Sequence, residues 1–309
     1  MKRTLSIILA LVLCVAALSG CASTTKDANT FTVGVCQLMK HDSLDQATQG
    51  FIDALTEAVE AAGKKVNIDT QVAGDANLCP TVVNTFVSKK VDLIMANATP
   101  ALLAAANATR TIPVLGTSVT DYDNTFESGI PANVSGTSDA VAFDDQAQMM
   151  IDTLGLVKGD KVGVIYCSNE SNSLVQYEAV KKLFDEKEIV CEAYTFSETT
   201  ELQSVTAAAA SSCKAIYVPS DNTVAQSDSI VGSVCTQNKV PVFTSYGGTI
   251  CYASLAIDYY RLGVLTGEMA ADILLGKKQM SDLEVLTSEP TKVYNEDICK
   301  SLGITVPAV

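Results

Sequence analysis

The 309-residue sequence contains no tryptophan and a single histidine, His41. Basic side chains are also scarce. The sequence has 21 Lys and Arg against 35 Asp and Glu, which gives a net charge of −14. A nucleic-acid-binding protein needs a basic face that displaces counterions from phosphates, so this balance excludes that class. Beyond the N-terminus no apolar run approaches the roughly 20 residues that span a bilayer, which excludes a multi-pass membrane protein.

Motifs that carry catalytic or cofactor chemistry are missing as well. The sequence has no Gly-x-Ser-x-Gly elbow, no Walker loop, no Gly-x-Gly-x-x-Gly and no His-Glu-x-x-His. No Cys-x-x-Cys pair occurs, so zinc and thioredoxin-type sites lack their ligand spacing. A catalytic Cys–His pair would need His41 beside a thiol, and the nearest in sequence, Cys36, lies in an apolar run. We therefore expect a protein that is not an enzyme and that uses no cofactor or metal.

The N-terminus has the three parts of a secretory signal. Lys2 and Arg3 form the charged region, and Leu5–Leu18 form a short apolar region with small residues after it. The run Leu18-Ser19-Gly20-Cys21 resembles the bacterial lipobox, in which the cysteine is diacylated and becomes the new N-terminus. We predict a signal peptide at 1–20, lipidation at Cys21 and a polar tether at 21–30. A plain secreted protein and an uncleaved anchor are the alternatives.

The cysteines of the body are widely scattered, and several lie in apolar, strand-like runs. A free cysteine there acts as a small hydrophobic residue. A chain of this length can bury a core without a disulfide framework. The eight positions are Cys36, Cys79, Cys167, Cys191, Cys213, Cys235, Cys251 and Cys299.

After residue 30 short β-rich apolar runs alternate with longer helical patterns, which is typical of βαβ units on parallel sheets. The apolar run at Phe31–Leu38 predicts a strand. At Asp42–Ala62 apolar residues recur three or four positions apart, which predicts a helix. The further predicted strands are 66–72, 91–96, 112–115, 161–167, 189–196, 215–219 and 240–244. The further predicted helices are 77–88, 100–107, 171–186, 201–212 and 224–238.

The two halves of this pattern resemble each other. Val33-Gly34-Val35 matches Val162-Gly163-Val164, and Pro113-Val114-Leu115 matches Pro241-Val242-Phe243. The alternative is chance similarity between two generic βαβ sequences. We predict an α/β fold of two Rossmann-like lobes with parallel sheets joined by a hinge. Lobe 1 is assigned to 31–139 and 251–280, and lobe 2 to 140–250 and 281–309. The predicted crossovers are near 138–143, 247–251 and 279–286.

Polar residues follow the predicted strands in both halves, and ligands of open parallel sheets bind at these carboxyl ends. Each such residue could instead cap the next helix, since Ser, Thr, Asn and Asp favour that position. Six such polar clusters nevertheless converge on one cleft and predict a ligand site, at 37–41, 97–99, 116–121, 168–173, 220–223 and 245–248. Its candidate residues are Gln37, His41, Asn97, Thr99, Thr117, Ser118, Asn169, Asn172, Ser173, Asp221, Asn222 and Tyr246.

Several of these motifs together resemble a known family. They are similar to motifs of bacterial ABC-transporter substrate-binding proteins of the tryptophan/tyrosine type. The motifs are Gly34-Val35-Cys36-Gln37-Leu38, His41-Asp42-Ser43-Leu44-Asp45, Gly50-Phe51, Asn97-Ala98-Thr99-Pro100, Thr117-Ser118-Val119-Thr120-Asp121, Asn133-Val134-Ser135-Gly136-Thr137-Ser138-Asp139 and Tyr166-Cys167-Ser168-Asn169-Glu170-Ser171-Asn172-Ser173. The resemblance covers Phe31–Pro307. It implies a type I periplasmic-binding-protein fold with a hinge. Tyr122 departs from the pattern, because the family often has proline there.

The resemblance implies capture of a small ligand, most favourably an aromatic amino acid, and delivery to an ABC permease by a monomer that is lipid-anchored on the extracytoplasmic side. Thr99, Thr117 and Ser118 could hold the ligand carboxylate, and Asp221 could hold its ammonium group. Tyr166 and Tyr246 could pack on an aromatic side chain. A solvated helix cap is the alternative role of Asp221. The alternative function is a lipoprotein that presents a bound solute, another amino acid or a sugar, to a signalling receptor.

Overall fold

The computed structural model of the chain describes residues 27, 29–126 and 128–306. The predicted signal peptide, Cys21 and most of the tether lie outside the described residues. Both lobes belong to one compact unit that begins at Phe31. In the described part of the chain, every helix falls short of the length or the hydropathy that a bilayer crossing requires.

The first lobe is built on a five-stranded sheet with the order β2-β1-β3-β4-β5. Its strands are β1 (Thr30–Gln37), β2 (Lys65–Val72), β3 (Leu93–Asn97), β4 (Val114–Val119) and β5 (Val134–Ser138). Its first four helices are α1 (Asp42–Ala61), α2 (Cys79–Lys89), α3 (Thr99–Ala108) and α4 (Tyr122–Thr125). Helix α1 buries the predicted stripe that includes Leu44, Phe51 and Leu55, and residues at this spacing share one helix face.

The second lobe is built on a six-stranded sheet with the order β11-β10-β9-β8-β6-β7. Its strands are β6 (Lys161–Cys167), β7 (Val190–Phe196), β8 (Ala215–Val218), β9 (Val242–Thr244), β10 (Ala253–Ala256) and β11 (Thr291–Tyr294). Its helices are α5 (Phe143–Leu154), α6 (Ser171–Glu186), α7 (Leu202–Ser212), α8 (Asn222–Gln226) and α9 (Asp228–Asn238). Helix α10 (Tyr259–Leu274) returns to the first lobe, and α11 (Glu296–Leu302) packs on the second.

The strand order confirms the two-lobed α/β architecture and the internal repeat. Strands β6 to β10 follow the order β7-β6-β8-β9-β10, which repeats the order of β1 to β5. Among the described strands, β11 alone has no counterpart in the first sheet, and it runs antiparallel to β10 at the edge of the second sheet. The eight body cysteines are free and buried, as expected of small hydrophobic residues.

The structure differs from the predicted lobe boundaries in two segments. Strand β10, expected in the first lobe, pairs with β9 in the second sheet because it is the counterpart of β5. Gly247 and Gly248 form a loop within the second lobe, and the crossover follows at 257–258 rather than 247–251. Residues 283–286, expected in the second lobe, pack on the first, where Leu286 bridges to Thr137.

Some local elements also differ from the predictions. The predicted helix 224–238 is two helices that meet at Ser227, and the predicted helix 77–88 begins with a 3-10 turn at Ala76–Leu78. Strands β5, β10 and β11 and helices α4, α5, α10 and α11 are additional to the predicted elements.

Candidate functional site

A small cavity lies between the lobes at the carboxyl ends of the parallel strands. It measures about 20 Å³, which holds roughly one water molecule. An amino acid can therefore enter only when the lobes move apart. The first lobe contributes His41, Ser43, Leu44, Ser118, Thr120 and Asp139, the second contributes Asn172, Ser220, Asp221, Asn222, Ala225 and Tyr246, and Tyr259 comes from the start of α10.

A larger outer pocket of about 800 Å³ adjoins this inner cavity. The two share five lining residues, namely His41, Ser43, Ala225, Tyr246 and Tyr259. The outer pocket is acidic, because Asp42, Asp45, Asp228 and Asp258 line it against one basic residue, Lys40. Among the described residues, no Lys or Arg lines the inner cavity. Both cavities therefore favour a ligand with a positive group over an anion.

Within the described part of the chain, four buried polar atoms around the inner cavity have no hydrogen-bond partner. They are His41 Nδ1, Ser118 Oγ, Asn172 Oδ1 and Tyr246 Oη. Buried polar groups are nearly always paired, and leaving one unpaired costs about 1–3 kcal/mol. Two of these atoms come from each lobe. Together they form a set of donors and acceptors that a polar ligand could satisfy.

Ser118 reaches the cavity because the backbone of β4 is irregular there. The register between β4 and β5 shifts between Gly116 and Val119, which is the sign of a bulge. Ser118 itself has a φ of 54°, in the left-handed region that non-glycine residues rarely adopt. Bulges and strained residues occur next to functional sites, where they redirect a side chain.

His41 precedes helix α1 in extended conformation and makes no capping hydrogen bond with its side chain. Its ring instead reaches across the cleft, and its Nε2 lies 3.3 Å from Oδ1 of Asn222 in the second lobe. Burial lowers the pKa of His41, although the contact with Asn222 and the charge of Glu170 oppose this effect. The imidazole is therefore neutral near pH 7.

Asp139 follows β5 and is the buried carboxylate that the first lobe presents to the cavity. Its oxygens accept hydrogen bonds from Thr120 Oγ1 at 3.0 Å and from Tyr259 Oη at 2.9 Å. Burial raises the pKa of Asp139, and the two hydrogen bonds only partly oppose this effect. Among the described residues that line the cavity no Lys or Arg neutralises this carboxylate, which is therefore suited to a positive ligand group.

The carboxylate of Asp221, in contrast, accepts its hydrogen bonds from residues of its own lobe. One oxygen accepts from the backbone N–H of Val224 at 2.8 Å, and so Asp221 caps α8. The other oxygen accepts from the N–H of Cys167 at 2.7 Å and from Ser173 Oγ at 2.8 Å. Burial and the nearby charge of Glu170 raise the pKa of Asp221. This is the helix cap that the sequence offered as the alternative role.

Six of the twelve predicted residues line the inner cavity, namely His41, Ser118, Asn172, Asp221, Asn222 and Tyr246. Most of the others support the loops behind it. Gln37 bonds to Met39, Asp45 and Thr48, and Asn97 bonds to Leu44 and Thr48. Thr117 accepts from Thr137 within the sheet, and Ser173 bonds to Asp221. Thr99 lines a separate small pocket, and Asn169 is exposed.

Of the two predicted aromatic contacts, Tyr246 lines the cavity but Tyr166 does not. Tyr166 stacks on Tyr177, with ring centroids 5.4 Å apart. Asp139, Thr120 and Tyr259 were absent from the candidate set. A signal for Asp139 exists in the sequence, since it is a lone acid after the run Ser135-Gly136-Thr137-Ser138.

Comparisons with known proteins show which family this chain resembles. The family described as ABC transporter substrate binding protein matches residues 32–308. A protein named tyrosine-binding protein from Clostridioides difficile is 35% identical over 326 residues, which cover 98% of this chain and 93% of the relative.

Two solved structures are informative about the arrangement of the lobes. A Streptococcus pneumoniae ABC domain in complex with L-Trp is 32% identical, with a TM-score of 0.81. The ligand-free, open structure of a substrate binding protein from Clostridium difficile is 34% identical, with a TM-score of 0.67. Each comparison covers 90% of this chain and 96% of the other. At similar identity, the whole chain therefore superposes better on the Trp-bound structure than on the open one.

Contacts across the cleft agree with a closed arrangement. His41 meets Asn222, and Gln176 Nε2 lies 3.4 Å from Thr120 Oγ1. More distant structures, such as a 5-methylthioribose-binding protein from Thermotoga lettingae at 14% identity and a TM-score of 0.63, share the two-lobed fold. By the match over nearly its whole length, the chain belongs to the family of ABC transporter substrate binding proteins.

Proposed function

We propose that this protein captures an aromatic amino acid between its lobes and delivers it to an ABC permease. The observation that carries the proposal is the closed inner cavity, with four unpartnered polar atoms and a buried carboxylate around it. The names of the relatives support the choice of ligand, since one is a tyrosine-binding protein and another was solved with L-Trp.

The ends of a zwitterion match the groups that face this cavity. Asp139 is the ammonium anchor in our proposal, in place of Asp221, because the oxygens of Asp221 already accept three hydrogen bonds. Ser118 Oγ is available to the carboxylate. Ser43 and Leu44 lie in the first turn of α1, where backbone N–H groups have no partner inside the helix.

The remaining lining provides apolar surface for a ring. Leu44, Tyr246 and Tyr259 line the inner cavity, and both tyrosines also line the outer pocket. Aromatic rings pack well in edge-to-face or offset geometry. An amino acid anchored at Asp139 could therefore extend its side chain from the inner cavity toward the outer pocket.

A titration of the purified protein with each amino acid tests this function. We expect tyrosine, tryptophan or phenylalanine to bind with a 1:1 stoichiometry and to raise the melting temperature, since a ligand that binds only the folded state stabilises it. Charged and small amino acids are the negative controls, since their charge or size does not fit the proposed site. The Asn169→Ala variant is the matched control, because Asn169 is exposed and outside the cavity. Binding by none of the aromatic amino acids would reject the proposal.

We also propose that the protein acts as a monomer held at the membrane by lipid on Cys21. The family is one of extracytoplasmic binding proteins, and the lipobox-like run Leu18–Cys21 supports the anchor. One myristoyl-length chain gives only marginal membrane binding, whereas two chains anchor a protein stably. A diacylated cysteine therefore suffices as the anchor.

Replacing Cys21 with alanine tests the anchor. We expect Cys21→Ala protein to leave the membrane fraction and to appear in the medium or periplasm, because the thiol that receives the lipid is gone. Fractionation of cells that express each form, followed by immunoblotting, measures the distribution. The Ser23→Ala variant is the control and should stay with the membranes. Full retention of Cys21→Ala protein in the membrane fraction would disprove lipid anchoring at this residue.

A further inference from the structure

The hydrogen-bond network around His41 fixes which ring nitrogen carries the proton. The carboxylate of Glu170 can only accept, and Asn222 Nδ2 donates to its Oε2 at 2.7 Å. The backbone N–H of Asn222 donates to the same oxygen at 2.9 Å. The amide of Asn222 is thereby oriented with Oδ1, an acceptor, toward His41.

The donor in the contact between the lobes is consequently His41. A 3.3 Å contact with Oδ1 of Asn222 requires a proton on Nε2. Burial lowers the pKa of His41, so the neutral ring carries that single proton. Nδ1 is then a lone-pair acceptor, and it is buried without a hydrogen-bond partner among the residues that the structure describes. The alternative amide orientation would set a carbonyl oxygen against the Glu170 carboxylate.

We propose that Nδ1 of His41 accepts a hydrogen bond from the side chain of the ligand, so that the preferred ligand is an aromatic amino acid with a side-chain donor. This inference rests on the proposed function and narrows its substrate class. The donor is a phenol O–H or an indole N–H, which tyrosine and tryptophan have and phenylalanine lacks.

Two features favour the ligand side chain over its ammonium group as the partner of His41. The ammonium group has a charged acceptor in Asp139, and hydrogen bonds to ionised groups are roughly twice as strong as neutral ones. His41 also lines both the inner cavity and the outer pocket, whereas Asp139 lines only the inner one. When the ammonium group of the ligand is bound at Asp139, the side chain that extends toward the outer pocket lies next to His41.

Selectivity follows from the same acceptor. A ligand without a donor would bury Nδ1 still unpaired, and sites built to bond a substrate hydroxyl or N–H reject analogues that lack it. We expect phenylalanine to bind about tenfold to a hundredfold more weakly than the better of tyrosine and tryptophan, as measured by calorimetry. The His41→Leu variant removes the acceptor and should bring the affinities for the donor ligand and for phenylalanine together.

Because His41 is the only histidine, ¹⁵N-histidine labelling of a protein without a histidine tag gives an NMR measurement that needs no variant. We expect the free protein to show a protonated Nε2 and an unprotonated Nδ1. Tyrosine or tryptophan should shift the Nδ1 signal toward that of a hydrogen-bonded acceptor, and phenylalanine should shift it much less. The ligand with the larger shift and the tighter binding identifies the donor as phenol or indole.

The outcomes separate this inference from the function on which it rests. If all three aromatic amino acids bind equally well, or if phenylalanine shifts Nδ1 as strongly as the others do, the inference is overturned while the proposed function stands. A proton on Nδ1 in the free protein would overturn it too. If none of the three binds, the proposed function fails and this inference fails with it.

Discussion

Replacing Asp139 with asparagine is expected to weaken amino-acid binding thirtyfold or more. In the closed cleft the carboxylate of Asp139 is buried, and the hydroxyls of Thr120 and Tyr259 donate hydrogen bonds to it. Removing one member of a buried charge pair costs about 2–5 kcal/mol of binding free energy. Calorimetry on wild type and on Asp139→Asn, with the same aromatic amino acid at pH 7, measures the loss.

The stability of the free protein distinguishes an anchor from a structural residue. Asparagine has nearly the same shape, and the hydroxyls of Thr120 and Tyr259 can rotate to donate or accept. Because burial raises the pKa of Asp139, its charge opposes folding, so Asp139→Asn should not lower the melting temperature of the free protein. Asp221→Asn is the matched control. It places an amide where three donors converge and should destabilise the second lobe. An unchanged affinity in Asp139→Asn would contradict the assignment.

The raised pKa of Asp139 also sets the direction of the pH dependence. A bound ammonium group favours the ionised carboxylate, so binding lowers this pKa and releases a proton at pH values between the free and bound pKa. Affinity therefore falls as the pH drops through the pKa of Asp139 in the free protein. Asp221 is another buried acid with a raised pKa, and the difference between wild type and Asp139→Asn isolates the contribution of Asp139. Calorimetry in buffers of different ionisation enthalpy measures the protons released.

The sequence alone predicted the two-lobed α/β fold, because apolar patterns report the period of helices and strands, but it did not predict the segments that cross between the lobes. It was less informative about polar strands. Strand β5 contains one large apolar residue, Val134, and its Thr137 is buried through bonds to Thr117 and Thr266. These partners come from β4 and α10, so no local pattern marks the strand. Missing β5 also meant missing Asp139, which follows it.

The direction of the side chains explains why six of the twelve candidate residues line the inner cavity and the other six do not. Thr117 and Ser118 are neighbours of similar chemistry, yet Thr117 bonds within the sheet and Ser118 lines the cavity. Successive residues of a strand point to opposite faces, and the bulge at Ser118 alters this alternation. Whether Gln37 or Asn97 faces a ligand or a neighbouring loop depends on tertiary contacts that the sequence does not display.

The largest stability effect is expected where helices α1 and α10 pack together. An ideal Cβ at Gly263 of α10 would overlap the carbonyl oxygen of Ala47 in α1, and one at Gly50 would overlap that of Tyr260. At Gly267 the Cβ would lie 2.6 Å from the carbonyl oxygen of Phe51. Backbone atoms cannot turn aside as a side chain can. A methyl group at Gly263 therefore forces the two helices apart.

We expect Gly263→Ala to destabilise the protein. The better helix propensity of alanine recovers about 1 kcal/mol of the cost of the steric overlap. Overpacking of a core costs about 1–3 kcal/mol and occasionally more. Separating these helices also loosens the contacts of buried residues such as Phe51 and Leu55. We therefore expect a cost at the upper end of this range. The melting temperature should fall by roughly 5 °C or more. Differential scanning calorimetry of the free protein measures the fall.

Glu268→Ala is the control on the same helix, because Glu268 is exposed and its ion pair with Arg261 is a surface pair worth about 0–1 kcal/mol. Gly50→Ala is the matching change on α1 and should reproduce the effect of Gly263→Ala. Ligand affinity should fall as well, since His41 precedes α1 and Tyr259 begins α10, and both line the cavity. A melting temperature within 1 °C of wild type, with binding intact, would mean that the spacing between α1 and α10 sets neither stability nor the site.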